Sequence, residues 1–352
     1  MKRIISFALI FIMALSLAAC RQPKEASVDP TDAPKPTETV TQPTEEPTPA
    51  PTEAPTPEPT EAPLPDDPDA IGDCFKDAEI ILRIPYGDGE KGAGLEGPDS
   101  FGRDWYNGPE SFAVEDGTVY ILDTAKCRVI VWDGEGFSYI PFSDAPDCGH
   151  CSEMAVADDK IYIGNTEEEE SIITVYDMTG NKLGNIPMPE DAAESGLNEL
   201  FNADGRIFMS SNDLVFYELV DGEFVRAYEI DVDHAGEGRY SVVYGDLELV
   251  IESGSNTMIG VRRIIGDRVY CKVFEFDPAS TAIQTETSYR VYGADGDLIG
   301  MTVVDRDSVF ALPGSEMFIT SDGTLYVMCL MQDGVYITRP NLRLEYTSHI
   351  GK

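Results

Sequence analysis

The chain has 352 residues, of which 42% are hydrophobic, and it carries 25 Lys and Arg against 64 Asp and Glu, a formal net charge of -39. This length accommodates one large domain or two of ordinary size. Nucleic acids and anionic lipid surfaces are bound through clusters of Lys and Arg, and both repel a chain this acidic. We therefore expect no nucleic-acid partner, and contact with a membrane only through a covalent anchor.

Residues 1–19 have the organisation of a secretory signal peptide. Lys2 and Arg3 precede an uncharged apolar run over residues 4–17, which is shorter than the ~20 residues that a membrane-spanning helix needs. The run ends in Leu17-Ala18-Ala19-Cys20. This ending resembles the lipobox of bacterial lipoproteins, and the resemblance implies that Cys20 receives a diacylglycerol and becomes the first residue after cleavage. We therefore predict an extracytoplasmic protein that is anchored to the bacterial cell membrane through a lipid on Cys20.

Residues 20–70 combine this cysteine with a low-complexity segment. Residues 21–70 hold 14 of the 24 prolines and nine threonines, together with many acidic side chains. Too few apolar side chains are present to form a core, so we predict a disordered linker rich in Pro, Thr and Glu. A proline-rich chain extends by about 3.1 Å per residue, so this linker could place a domain on the order of 150 Å from the membrane.

Residues 71–352 form the predicted domain, and they contain a repeated hairpin. Each copy consists of an apolar strand, a turn built from Asp or Gly, and a second strand with an aromatic residue three positions after the turn. The copies occupy residues 112–121, 154–163, 200–209, 263–270 and 318–327, with Tyr120, Tyr162, Phe208, Tyr270 and Tyr326 as the aromatic residues.

A third strand follows most hairpins, as at residues 129–132, 174–177 and 289–292. Four antiparallel strands in every 40 to 50 residues, approximately, are typical of the blades of a β-propeller. We therefore predict an all-β domain, a β-propeller of six blades, within a range of five to seven. A further hairpin at residues 240–251 would belong to a degenerate blade, and residues 190–200 could form a helical turn.

The first repeat also carries a family resemblance. Gly108-Pro109-Glu110-Ser111-Phe112-Ala113-Val114, Tyr120-Ile121-Leu122-Asp123-Thr124 and Arg128-Val129-Ile130-Val131-Trp132 resemble an NHL-type propeller repeat. The resemblance implies that Asp123 and Arg128 stabilise the blade and are not catalytic. It also implies a six-bladed fold that serves mostly as a binding platform, although related propellers include lactonases with a metal ion in the channel.

Cysteine and glycine motifs suggest further sites. Cys148-Gly149-His150-Cys151 matches the active-site motif of protein disulfide isomerases, but no helix follows to lower a thiol pKa. We expect a disulfide or a reduced thiol pair at Cys148 and Cys151, with redox catalysis and a zinc site as alternatives. Cys127, Cys271 and Cys329 lie in strand patterns and are expected to be buried. Residues 87–92 match a dinucleotide fingerprint, but no helix can follow them to bind a pyrophosphate.

The sequence contains no constellation that identifies a reaction, a cofactor or a metal site. The loop with Arg103, Trp105 and Tyr106 is the candidate binding face, because exposed aromatic and Arg side chains on loops favour recognition. We predict a monomeric cell-surface module that binds or scaffolds an extracytoplasmic protein or glycan. The alternative is an extracytoplasmic hydrolase or lactonase that holds a divalent metal ion at the propeller channel.

The anchor assignment is tested by Cys20→Ala. Cys20 is the cysteine of the lipobox-like ending, so this variant should lose its lipid and remain in the aqueous phase on detergent phase partitioning of cell extracts. The wild-type chain should enter the detergent phase. A variant that still partitions with detergent would show that the anchor lies elsewhere.

Overall fold

The computed structural model describes residues 78–95, 108–142, 148, 151–165, 171–236, 238–253, 256–276, 285–304, 309–311 and 313–344. All of them belong to one compact unit, Glu61–Lys352. Several sequence predictions lie outside these residues, namely the signal peptide, Cys20, the linker, and the loop with Arg103, Trp105 and Tyr106. No helix within the described ranges is long and apolar enough to cross a membrane.

The domain is a six-bladed β-propeller, as the repeats predict. Blades 1 to 3 are four-stranded antiparallel sheets whose strands follow chain order. Alternating apolar residues and turns that contain Asp or Gly specify each of them. Their strands are β2 (Pro109–Glu115), β3 (Thr118–Asp123), β4 (Arg128–Trp132) and β5 (Phe137–Pro141) in blade 1; β6 (Cys151–Ala157), β7 (Lys160–Asn165), β8 (Ile172–Asp177) and β9 (Lys182–Pro187) in blade 2; β10 (Leu197–Ala203), β11 (Arg206–Ser211), β12 (Val215–Val220) and β13 (Glu223–Glu229) in blade 3.

Blade 5 repeats this pattern, whereas blades 4 and 6 depart from it. Blade 4 has three strands, which confirms the degenerate blade expected around residues 240–251, and blade 6 combines strands from both ends of the described chain. The strands are β14 (Asp231–Gly236), β15 (Arg239–Tyr244) and β16 (Leu247–Glu252) in blade 4; β17 (Thr257–Ile265), β18 (Arg268–Phe276), β19 (Thr285–Tyr292) and β20 (Leu298–Val304) in blade 5; β21 (Val309–Ala311), β22 (Met317–Ile319), β23 (Leu325–Met331), β24 (Gly334–Arg339) and β1 (Glu79–Ile84) in blade 6.

The ring is closed by the pairing of β1 with β24. The two strands are antiparallel, with Glu79 opposite Arg339 and Ile84 opposite Val335. At one end of the pair Arg83 donates to Asp333 over 2.6 Å, and at the other end Arg339 pairs with Glu79. Blade 6 is therefore complete only when the start and the end of the propeller meet.

The hairpin register explains the repeated aromatic residue. In each of the five hairpins this residue lies directly opposite a residue of the preceding strand, where cross-strand side chains pack against each other. Asp and Gly at the turns adopt positive φ, as at Asp116 (φ 49°) and Gly117 (φ 80°), which is the backbone that tight hairpin turns require. The cross-strand pairs are Ala113–Tyr120, Ala155–Tyr162, Phe201–Phe208, Arg263–Tyr270 and Phe318–Tyr326.

The hydrophobic core lies between neighbouring blades, in four buried clusters. Each interface between blades also contains a specific contact, and these contacts run round the whole ring. They are Met154 N to Ser111 Oγ at 3.0 Å, Asn202 Nδ2 to Val156 O at 3.0 Å, the rings of Tyr228 and Tyr244 at 5.1 Å, Tyr240 OH to Thr257 O at 2.5 Å, Tyr270 OH to Gly323 O at 2.9 Å, and the rings of Phe112 and Phe318 at 5.8 Å.

The connection from blade 2 to blade 3 contains the helix of the described chain. Helix α1 (Glu190–Ser195) falls inside the segment where a helical turn is expected, and Gly196 follows it at φ 93°. The segment Asp231–Gly236 resembles the start of a calcium loop in sequence, but it forms strand β14.

Residues 87–92 form a turn that binds cationic side chains of blade 1, the reverse of a phosphate-binding loop. The Nζ of Lys126 donates to the carbonyl oxygens of Gly87, Gly89 and Gly92 at 2.5, 2.7 and 2.8 Å. Arg128 donates to Gly92 O at 2.5 Å. Carbonyl oxygens aimed inward attract ammonium and guanidinium groups, so the dinucleotide fingerprint has no function here.

Asp123 and Arg128 form a buried ion pair. The Nε of Arg128 lies 2.9 Å from Asp123 Oδ2, and the backbone N–H of Gly94 donates to Asp123 Oδ1 over 3.0 Å. Burial raises the pKa of Asp123, and the hydrogen bond from Arg128 opposes that rise. The pair fastens the segment that enters blade 1 to the blade itself.

Arg128→Met tests this role. It leaves the Asp123 carboxylate buried without its partner and should lower the free energy of unfolding by about 3–5 kcal/mol, measured by urea denaturation. The matched control is Arg206→Met, since the Arg206 side chain is 57% exposed in its pair with Glu218; that variant should change stability by less than about 1 kcal/mol. Equal losses in both variants would contradict a special role for the buried pair.

Candidate functional site: the channel and its mouth

The centre of the propeller is identified by hydrogen bonds and ion pairs between blades that are not neighbours. Arg263 of blade 5 pairs across the ring with Glu199 of blade 3, and it also donates to Ile319 O of the neighbouring blade 6. Glu153 of blade 2 bonds to Ser315, which lies just before β22 of blade 6. Such contacts must cross the ring, so these side chains occupy the channel.

We call the charged side chains in this region the channel network: Glu153, Glu199, Glu316, Arg262, Arg263 and Lys272. Lys272 pairs with Glu316, and Arg262 Nη1 donates to Asn198 Oδ1 over 2.9 Å. The guanidinium carbon of Arg263 lies 3.7 Å from the centroid of the Phe201 ring, a distance at which a cation is attracted to the ring face. With three carboxylates and three cations, the network is close to neutral if all six groups are ionised.

Glu153 is the carboxyl group of the channel network whose surroundings disfavour the ionised form. It is 4% exposed, and burial, followed by the nearby Glu199, raises its pKa well above the ordinary value of 4.5. Its Oε2 and that of Glu199 are buried and have no partner among the described side chains or backbone groups. Burial and the nearby Glu199 therefore favour the neutral, protonated form of Glu153 over its ionised form.

One end of the channel opens into a pocket that we call the mouth pocket. It has a volume of about 520 Å³ and lies between the hairpin turns of blades 1, 3 and 6. Carboxylates, hydroxyl groups, one amide and one tyrosine line it, and no Lys or Arg is part of the lining. The polar and aromatic lining residues are Glu115, Asp116, Asn202, Asp204, Thr320, Ser321, Asp322, Thr324, Phe318 and Tyr326.

Asn202 organises the floor of the mouth pocket. Its Nδ2 donates to Glu115 Oε2 over 2.8 Å and to Val156 O over 3.0 Å, and its Oδ1 accepts from the N–H of Gly205 over 2.9 Å. Burial, followed by the charge of Asp116, raises the pKa of Glu115, and the bond from Asn202 opposes that rise. A cation in the pocket would therefore find one oriented carboxylate whose charge is not balanced by a basic neighbour.

Arg263 and Asn202 were not identified as site residues by sequence reasoning, but the repeats contain a signal for both. Arg263 occupies the position opposite the aromatic residue, where the other hairpins have Ala or Phe. Asn202 occupies the next position, which is Val or Ile in every other hairpin. A polar residue at a core position of a repeat indicates a function that the other copies lack.

The predicted thiol pair is joined by a third cysteine. None of Cys127, Cys148 and Cys151 forms a disulfide in this structure. The Cys148 thiol hydrogen-bonds with both of the others. Cys271 and Cys329 are buried in strands as expected, but the expectation for Cys127 is wrong: it is partly exposed and ends a short 3-10 turn with φ 48°.

The metal-dependent alternative has no donor set in the described ranges. They contain no cluster of three His, Cys, Asp or Glu side chains that could hold a metal ion. In the channel, the carboxylates of the network are already accompanied by Arg262, Arg263 and Lys272.

A larger groove of about 750 Å³ lies between blades 3, 4 and 5. Tyr228 and Tyr244 line it together with Arg226, Glu229 and Asp267. Because its charges are mixed and partly paired, as in the exposed pair of Arg226 with Glu229, it offers no single class of ligand. The mouth pocket is the more selective site.

Glu153→Gln tests the protonation of the channel. An unfolded Glu153 ionises near its ordinary pKa of 4.5, whereas the folded protein holds the proton to higher pH. Folding therefore takes up a proton between these two pKa values, so wild-type stability should fall relative to the Gln variant as pH rises through that window, by up to about 1.4 kcal/mol per pH unit.

Urea unfolding from about pH 5 to about pH 8 measures this difference. Glu218→Gln, at a more exposed carboxylate, is the control and should show no such trend. A stability difference between wild type and Glu153→Gln that does not change with pH would contradict a protonated Glu153.

Comparisons with known proteins add only distant likenesses. No family model matches the chain, and no curated protein matches it. Among solved structures, a member of the DUF4221 family from Bacteroides vulgatus is 12% identical with a TM-score of 0.41, over 76% of this chain and 98% of that chain. The WD40 β-propeller domain of Doa1 is 11% identical with a TM-score of 0.36, over 74% and 96% of the two chains. YCF48 bound to D1 peptide is 10% identical with a TM-score of 0.39, over 74% and 98% of the two chains. This chain is thus similar to propellers of varied roles, and these likenesses do not bear on its function.

Proposed function

We propose that the protein is an exported, lipid-anchored binding module whose mouth pocket recognises a cationic segment of an extracytoplasmic protein. The observation that carries the proposal is the lining of the pocket. Four carboxylates, Glu115, Asp116, Asp204 and Asp322, surround it without a basic residue. Lys or Arg side chains of a partner would supply the missing positive charge.

The size of the pocket supports a side chain as its ligand. Pockets of roughly 300 to 1,000 Å³ accommodate small ligands and single anchoring residues, and this one measures about 520 Å³. The hydroxyl group of Ser321 adds a polar group to the lining, whereas Asn202 and Thr320 are engaged in hydrogen bonds within the chain. Tyr326 adds an aromatic ring, which attracts ammonium and guanidinium groups.

Long-range charge favours the same class of partner. Residues 71–352 carry 20 basic and 52 acidic side chains, a net charge of -32. Such a field raises the rate of encounter with cationic partners, and salt screens it. Export and anchoring are supported by the signal-like residues 1–19 and by Cys20, and the linker would hold the pocket away from the membrane.

Binding of an oligolysine peptide tests the proposal. The double variant Glu115→Gln, Asp204→Asn keeps the shape of the pocket and removes two of its charges. It should bind hexalysine at least about tenfold more weakly than wild type in isothermal titration calorimetry, because hydrogen bonds to charged groups contribute roughly 1.5–3 kcal/mol each.

The matched control removes two charges from helix α1, in Glu190→Gln, Glu194→Gln. This variant should bind hexalysine almost as well as wild type. Equal weakening in both double variants would mean that the peptide responds only to net charge and would refute a specific site. Affinity for wild type should also fall as pH is lowered, because a cation favours the ionised form of Glu115, and Glu115→Gln should flatten that dependence.

A further inference from the structure

Three cysteines meet at the junction between blades 1 and 2. Cys127 ends the 3-10 turn between β3 and β4, Cys151 begins β6, and Cys148 lies in the connection from β5 to β6. This junction is separate from the mouth pocket. Strand β3 runs from the turn at Asp116 and Gly117, which lines the pocket, to the turn that contains Cys127.

Cys148 is the common neighbour of the other two thiols. Its side chain hydrogen-bonds with those of both Cys151 and Cys127, and it is 3% exposed, whereas Cys127 and Cys151 are partly exposed. The backbone also holds the cluster together, since the N–H of Phe142 at the end of β5 donates to Cys127 O over 3.1 Å. Two accessible thiols therefore flank one that is shielded from solvent.

We propose that Cys127, Cys148 and Cys151 form a redox site in which Cys148 can form a disulfide with either neighbour, so that two alternative disulfides are available. The chemical class of the co-reactant is a disulfide or another two-electron thiol oxidant. Cys127 or Cys151 attacks a sulfur of an external disulfide as the thiolate and releases one thiol. Cys148 then loses its proton, attacks the mixed disulfide and releases the second thiol of the co-reactant.

The electron balance is that of a dithiol oxidation. The two cysteines lose two protons and two electrons in total, and the external disulfide is reduced to two thiols. The hydrogen bond with Cys151, followed by burial, raises the pKa of the Cys148 thiol. Because Cys148 is also the buried member of the cluster, the first attack falls to a partly exposed neighbour and Cys148 acts second. Whichever bond forms, the third thiol remains beside it and can exchange with it.

The two disulfides would differ in their effect on the fold. A Cys127–Cys148 bond closes a loop that contains the whole β4–β5 hairpin, whereas a Cys148–Cys151 bond closes almost no chain. A longer closed loop removes more freedom from the unfolded state. The first bond should therefore raise the melting temperature by several degrees, and the second should leave it nearly unchanged.

Peptide mapping of the full-length protein tests the proposal. The protein is oxidised with diamide, a diazene that takes up the two electrons and two protons, alkylated under denaturing conditions and digested with trypsin. Cleavage after Lys126 and Arg128 isolates Cys127 in a dipeptide, while Cys148 and Cys151 share the peptide of residues 129–160. The two disulfides therefore give different products, a linked dipeptide or an internal bond, in the mass spectrum.

We expect both products from wild type, each with Cys148 in the bond. Cys151→Ser should give only the linked dipeptide, Cys127→Ser only the internal bond, and Cys148→Ser neither. Circular dichroism melts of the variants check that they fold. The proposal is overturned if wild-type Cys127 is recovered only in alkylated form, if all three thiols stay reduced in diamide, or if Cys148→Ser yields a Cys127–Cys151 bond.

Discussion

The pairing of β1 with β24 is the interaction on which the rest of the structure depends. It joins residues that are 260 positions apart, as in the contact between Glu79 and Arg339. The entropy lost on closing a loop grows only with the logarithm of its length, so each doubling adds about 0.6 kcal/mol. The ladder and the two ion pairs at its ends offset that cost. Without this pairing, β24 would present an open edge and the ring would not be closed around the channel.

Within the closed ring, a repeated backbone carries side chains that are not repeated. The hairpins share one register, but Arg263 and Asn202 replace apolar residues of the other copies. Both side chains bond to a residue of a blade that is not their neighbour. Arg263 of blade 5 pairs with Glu199 of blade 3, and Asn202 of blade 3 donates to Glu115 of blade 1. The channel is therefore lined by side chains that differ from one repeat to the next. A buried ion pair such as Arg263 with Glu199 contributes little net stability, but loss of one partner is costly, so the network constrains how the six blades fit together.

The blades could be predicted from the sequence because each hairpin carries its own local signals: alternation, an Asp or Gly turn and an aromatic residue. The closure of the ring could not be predicted in this way, since β1 has no hairpin partner nearby and pairs with a strand at the other end of the domain. The mouth pocket depends on which turns meet across the ring, so the sequence alone could not place Glu115 and Asp322 in one pocket. The burial predicted for Cys127 is wrong because the residue lies between two strand-like segments. Apolar patterning does not reveal that its backbone is left-handed.

The position of β1 also has a mechanical consequence. Residues 1–77 precede the strand that closes the ring, so tension applied to that part of the chain enters the domain at Glu79, where Arg339 is its partner. The load falls on the β1–β24 ladder before it reaches any other blade. Under sufficient force the ring should open at this seam first and expose the edge of β24, while the hairpins of blades 1 to 5 stay paired. The strength of the propeller against pulling is thus set by one strand pair and its two flanking ion pairs.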